Sequence, residues 1–158
     1  MVMRILLCAA LLATSSCGVA QDASSASPFS KTQWVVSGGY CPVGCSTAVA
    51  AFIKSQVGTK VALSNNQLSA SFLDECDGSV HYKYEVMDTD RLASDLSQGQ
   101  AENKRFTKAN MQIDRPKVTT AMAFCHSDGS DSTMARILSI EPDRVRILFE
   151  EQSIIELR

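Results

Sequence analysis

The stretch Val80-His81-Tyr82-Lys83-Tyr84-Glu85-Val86-Met87 decides the fold class. Val80, Tyr82, Tyr84 and Val86 recur at every second position, with His81, Lys83, Glu85 and Met87 between them. Successive side chains of a strand point to opposite faces, so this alternation predicts a half-buried strand with one face towards a core.

Strand signals continue on both sides of it. Downstream, Val118–Phe124, Met134–Ile140, Arg144–Glu150 and Ser153–Leu157 read as strands, with Pro142-Asp143 and Glu151-Gln152 as turns. Ser97–Lys108 is polar and reads as a long surface loop, and Ser127–Ser132 as a plain loop. Upstream, Lys60–Ser64 and Leu68–Leu73 flank the turn-forming Asn65-Asn66-Gln67, and Asp74–Ser79 supplies another turn. Trp34–Val36 is a first strand, broken by Ser37-Gly38-Gly39. Close spacing of this kind favours antiparallel neighbours. The expected core includes Tyr82, Tyr84, Phe124, Val145, Ile147 and Phe149.

Ser46–Val57 is the strongest helical segment. Val49, Phe52, Ile53 and Val57 form an apolar stripe, Ser46 is placed to cap it and Gly58 to end it. Asp88–Leu96 reads as a short helix capped by Asp88 or Asp90. The expected fold is therefore α+β: mostly an antiparallel meander, a small and partly closed barrel, with one N-terminal amphipathic helix.

The start of the chain reads as an export signal. Arg4 precedes the apolar run Ile5–Ala13, which is too short to span a bilayer, and Gly18-Val19-Ala20 supplies a small-residue cleavage site. The expected organisation is a signal over residues 1–20, a flexible leader over 21–33 and one domain over 34–158. Cys17 leaves a lipid-anchored form open as an alternative to a free periplasmic or secreted one. Net charge is −2, and −3 once Arg4 is removed with the signal. Acidic and basic residues are mixed along the chain, which argues against a nucleic-acid-binding stripe. Nothing in the domain predicts a membrane span.

Cys41, Cys45, Cys76 and Cys125 remain after cleavage, an even number that in an exported chain implies two disulfides. Three connectivities are open; the preferred one joins Cys41 to Cys45 and Cys76 to Cys125.

Cys41-Pro42-Val43-Gly44-Cys45 lies between a strand and a helix N-terminus, where a thiolate would be favoured. Over Val35–Phe52 this resembles the Sco-type copper chaperones, although Ser46 stands where that family has a second proline. The resemblance implies copper held by Cys41, Cys45 and a histidine, His81 or His126, and a thioredoxin fold that the strand-rich C-terminal half does not match. The alternative for Cys41–Cys45 is a plain structural bridge. Ser37-Gly38-Gly39-Tyr40 resembles the S-G-x-Y loop of periplasmic lysozyme inhibitors, which implies that Ser37, Gly38 and Tyr40 contact a partner from a projecting loop. More diffusely, Trp34, Gly58-Thr59-Lys60-Val61, Cys76 and the closing strands resemble small periplasmic lipocalin-like barrels, most of which bind or inhibit.

Cys125-His126 with Asp128 and Asp131 forms a second metal-like grouping, weakened by the expected Cys76–Cys125 bridge. His81 lies on the polar face of its strand and reads as solvated. No nucleophile elbow surrounds any serine. Asp74, Glu75, Asp77, Glu85 and Glu141 read as turn formers and surface charges. The expected function is a non-enzymatic binding or inhibitor module without cofactor, taking an unknown protein or a small apolar ligand. A thiol–disulfide or copper(I)-handling module is the alternative.

Overall fold

The computed structural model describes residues 27–158. The signal, its cleavage point and Cys17 lie outside those residues. The alternating segments form eight strands: β1 Gln33–Tyr40, β2 Lys60–Ser64, β3 Gln67–Ser69, β4 Ser79–Asp88, β5 Lys117–Ser127, β6 Ser130–Glu141, β7 Arg144–Leu148 and β8 Ile154–Leu157. Among the described residues two α-helices accompany them, α1 Thr47–Gln56 and α2 Thr89–Leu96; α2 is the short helix expected over Asp88–Leu96, and the description of the fold as carrying one helix is corrected. Every pairing is antiparallel, in the order β3-β2-β1-β8-β7-β6-β5-β4.

The sheet curls into a nearly closed barrel. No backbone ladder joins its ends, β3 and β4. Tyrosines cross that seam instead: Tyr82 Oη donates to Gln67 O at 2.7 Å, and Tyr84 Oη reaches Asn65 Oδ1 at 3.5 Å.

The barrel is filled with side chains. Trp34, Val61, Leu63, Ile137, Val145, Ile147, Ile155 and Leu157 are fully or almost fully buried in one apolar cluster. Helix α1 adds Val49 and Ile53, starts on the Ser46 cap as expected, and is followed by Gly58 in the left-handed region. Phe52 and Val57 of the expected stripe stay largely exposed, Phe52 stacked on Phe149. Gly39 sets how closely α1 lies on β1: a Cβ there would sit 2.5 Å from Ile53 Cγ2 and 2.6 Å from Ile154 O.

A second apolar cluster lies outside the barrel. Met87, Val118, Leu138 and Ile154 point outward from the strands and are covered by Leu92 and Leu96 of α2 and by Phe106, Met111 and Ile113. Most of Ser97–Lys108 lies at the surface as expected, with one 3-10 turn at Glu102–Lys104, but Phe106 and, further on, Met111 and Ile113 are buried, so residues 97–116 form a layer over this cluster. Side chains satisfy its backbone. Ser97 Oγ accepts from Phe106 N, Thr107 and Asn110 exchange bonds, and Tyr40 Oη donates to Met111 O.

Phe29, in the stretch read as a leader, is buried against Tyr82 and Tyr84. Three other expectations are corrected. Strand β1 runs through Ser37-Gly38-Gly39, absorbing the glycines with a register shift between Val36 and Gly38. The loop at 127–132 is a two-residue hairpin in which Ser127 faces Ser130 and Asp128-Gly129 both take positive φ (51° and 76°). Such a turn matches the twist of the flanking strands. A register shift between Ala123 and Phe124 accompanies the burial of Ala121, Ala123 and Cys125, while Phe124 lies beside His81. Of the expected core, Val145 and Ile147 are fully buried, Tyr82, Phe124 and Phe149 are half-buried, and Tyr84 is exposed.

Candidate functional site

Both expected disulfides are present, Cys41–Cys45 and Cys76–Cys125, each with a Cα–Cα separation of 5.6 Å. The first closes the connection from β1 to α1. Gly44, at φ +83°, lets the loop turn, and its N–H donates to Cys41 O at 3.2 Å. The bridge delivers the chain to the Ser46 cap, whose hydroxyl accepts from Val49 N–H at 3.3 Å.

Glu151 meets the same end of α1 from the β7–β8 connection. Its Oε2 accepts from Ser46 N–H at 2.5 Å, satisfying a donor that has no partner within the helix. Glu151 and Gln152 both take positive φ, 50° and 62°. For residues other than glycine that conformation is uncommon and costs about 1–3 kcal/mol each, so the surroundings must impose it. Here Phe149 N–H donates to Ser153 O, and the Ser153 N–H and hydroxyl both donate to Glu150 O. The turn is fixed, and the Glu151 carboxylate with it.

These pieces border an open cleft of about 500 Å³. Val43, Gly44 and Cys45 form one wall, Glu151 and Gln152 another, and Gln100 and Lys104 contribute from the outer layer. It offers one carboxylate, one ammonium group, two amide side chains and an apolar patch. That set can hydrogen-bond and pair charges with a partner; Ser46, which also lines the cleft, has its hydroxyl engaged by Val49 N–H as the helix cap. Sequence reasoning missed Glu151, Gln100 and Lys104: they are polar residues of turns, distant in the chain, and nothing local marks them.

A larger groove, about 750 Å³, follows the seam between β3 and β4 and is edged by Gln67–Ser71 and Gly78–Val80. Cys76–Cys125 ties the intervening loop to β5.

Ser37, Gly38 and Tyr40 sit in strand β1, paired with β8, not in a projecting loop. Ser37 Oγ donates to Glu156 O at 3.2 Å. Tyr40 is half-buried, and its hydroxyl holds Met111 O of the outer layer at 2.5 Å; burial pushes its pKa above the ordinary tyrosine value.

Cys41, Cys45 and His81 are not brought together. The cysteines are bridged beside α1, whereas His81 is on β4, stacked on Phe124, with Nε2 3.3 Å from Asp131 Oδ2. His126 shares that carboxylate, Nδ1 to Oδ1 at 2.8 Å, because β5 and β6 place it directly opposite Asp131. The hydrogen bond from His126 holds the Asp131 carboxyl below the usual carboxylate range. Cys125 faces the other way, in its disulfide. Among the described residues no group of three such side chains is arranged to hold a metal ion.

Glu141, expected as a surface charge, is largely buried and pairs at 2.6 Å with Arg146, itself about 1% exposed. Arg146 also donates to Ser139 Oγ and Gln112 O, and its Nε lies 3.6 Å from Glu156. This network ties the outer layer to the barrel wall.

The class defined by these features is a small, disulfide-bonded, nearly closed antiparallel barrel. No family model matches the chain, and no curated protein or solved structure matches it either. Among the described residues no helix is long and apolar enough to cross a membrane. Two disulfides fit an oxidising, extracellular or periplasmic environment.

Proposed function

We propose that the mature chain is an exported, non-enzymatic binding or inhibitor module that contacts a protein partner around the Cys41–Cys45 loop. The observation that carries this reading is the filled barrel. Trp34, Leu63, Ile147 and Leu157 occupy the space a lipocalin-like ligand would need, which leaves open surface clefts of mixed polarity. Clefts of that kind suit a protein loop better than a small apolar molecule, which is normally buried over most of its surface. The partner-facing surface continues from the cleft along the end of β1, where Ser37 and Gly38 face outward; Tyr40 fixes the layer beneath.

The test is capture by the immobilised mature chain from periplasmic or extracellular extract, against variants Val43→Arg and Lys104→Glu. A specific partner should be retained by the wild type and lost with both variants. Saturable binding of a fluorescent fatty acid, with no such partner, would sink the proposal. Export has its own measurement: mass spectrometry should find an N-terminus at Gln21, or a lipid-modified Cys17 in the anchored alternative.

The thiol-handling alternative is favoured by one feature, the position of Cys45 just before the α1 cap, where a thiolate would be stabilised. The reduction potential of Cys41–Cys45 separates the two. A structural bridge should lie below about −300 mV, and a redox element well above that.

A further inference from the structure

We infer that the outward face of β7 and β8, around Arg144 and Arg158, is a binding site for a phosphate group. Four of the chain's eight arginines gather here, Arg115, Arg144, Arg146 and Arg158, around two carboxylates, Glu141 and Glu156. The register of the sheet explains the crowding. Val145 pairs with Leu157, both fully buried inside the barrel, and Arg146 pairs with Glu156. One step further along that ladder, Arg144 stands across from Arg158 on the outward face. Like charges directly opposite each other destabilise a sheet unless something neutralises them. Main-chain bonds between Arg158 and Val35 in both directions, at 2.8 and 2.9 Å, fix this end of β8. Cys41 follows the other end of β1, so the site is separate from the Cys41–Cys45 cleft.

The two carboxylates do not satisfy these arginines. Glu141 is committed to Arg146 at 2.6 Å, and Arg115 comes only within 3.8 Å of its other oxygen. Glu156 takes Arg158 at 3.0 Å; Arg146 Nε at 3.6 Å and Arg144 Nη1 at 3.8 Å are beyond hydrogen-bonding range. The Nε atoms of Arg144 and Arg146 are both buried with no hydrogen-bond partner. Among the described residues, Asp114 and Asp143 form no ion pair with the cluster, although they adjoin Arg115 and Arg144 in sequence. Buried guanidinium donors of this kind call for an acceptor. The acceptor must carry more than one charge and offer several oxygens, because Arg144 and Arg158 both face it and Arg115 adjoins it through Glu141. A phosphate group has three acceptor oxygens and about −1.5 to −2 charge at pH 7. Its geometry matches the two-point guanidinium fork. A third carboxylate would bring a single charge and two oxygens. Arg144 is 31% exposed and Arg158 60%, so a phosphate group reaches both from solvent.

The test is a titration of the mature chain with inorganic phosphate at constant ionic strength, followed by the NMR signals of the arginine Nε–H groups. The Arg144 and Arg158 signals should shift and saturate together. Arg144→Gln and Arg158→Gln should each weaken binding by about tenfold. Arg136→Gln, outside the cluster, should leave it unchanged. Circular dichroism verifies folding, and the largely exposed Arg158 is the position least able to disturb it. Shifts that never saturate, that chloride reproduces at the same ionic strength, or that are undiminished in both cluster variants would each overturn the proposal. Flotation with phosphatidylcholine vesicles, with and without phosphatidic acid, identifies the source of the phosphate. Arg144-dependent flotation only with phosphatidic acid places it on a lipid headgroup. Saturable binding of free phosphate without flotation places it on a soluble molecule.

Discussion

The barrel wall has an apolar cluster on each side, and the two are held by different means. The inner one is enclosed by strands and α1, and its members are almost all hydrocarbon: Trp34, Val36, Leu63, Ile137, Ile147, Leu157. The outer one is roofed by α2 and residues 97–116, and polar ties cross its margin: Arg146 to Gln112 O, Tyr40 to Met111 O, Ser97 to Phe106 N–H. Strands satisfy their own backbones through the ladder, so they can be lined with apolar side chains alone. An irregular segment has no ladder; each buried N–H or C=O needs a partner, and side chains must provide it. The comparison teaches that the inner cluster should fail all at once and the outer one by detachment.

The largest expected effect tests the inner cluster. Trp34→Ala should cost about 3–5 kcal/mol, read from the urea midpoint, because a large buried ring leaves a cavity that the surrounding strands cannot collapse. Hydrogen exchange should accelerate in every strand together. Loss confined to β1 and β2 would show that the interior is not one cooperative unit.

Next come the disulfides. Replacing Cys76 and Cys125 with serine frees a 49-residue separation and should cost about 4 kcal/mol, against about 2 kcal/mol for Cys41 and Cys45, which are four residues apart. Equal losses would mean that chain entropy is not what separates the two bridges.

Arg146→Ala addresses the outer layer. It leaves the largely buried Glu141 without its closest cation and should cost roughly 3 kcal/mol. The mark of detachment is local: amides of residues 105–115 should exchange faster while β7 and β8 stay protected. Uniform loss of protection would erase the distinction between the clusters.

The smallest effect concerns Asp131 at the sheet's surface. Its folded-state pKa is depressed, first by the hydrogen bond from His126. The stabilisation it gives is therefore present above the unfolded carboxyl value and is lost as pH falls through the folded one. Asp131→Asn should flatten the acid limb of the stability profile slightly, and an NMR titration should place the wild-type carboxyl below the usual range. An unchanged limb would leave the His81–Asp131–His126 contact without energetic weight.

Much of this molecule is set locally. Alternation in Val80–Met87 and in the closing strands marks an antiparallel meander, because a strand with one buried face must repeat every second residue. Ser46 and Gly58 bound α1, since an N-cap acceptor and a positive-φ residue are needed wherever a helix begins and ends in that way. The even cysteine count implied two bridges. Asp128-Gly129 was a legible hairpin signal that a serine- and aspartate-rich composition concealed.

Tertiary structure alone decided the rest. Residues 97–116 are polar on average, and only the outward-facing Met87, Leu138 and Ile154 give Phe106, Met111 and Ile113 something to cover. Arg146 alternates with Val145 and Ile147 like any solvent-facing strand residue and is buried because that layer closes over it. Glu151 reaches Ser46 across 105 positions of sequence, by way of a turn whose strain no local pattern announces. Composition and period report which face of an element is apolar; which segment comes to cover that face depends on contacts far apart in the chain, and no local pattern contains them.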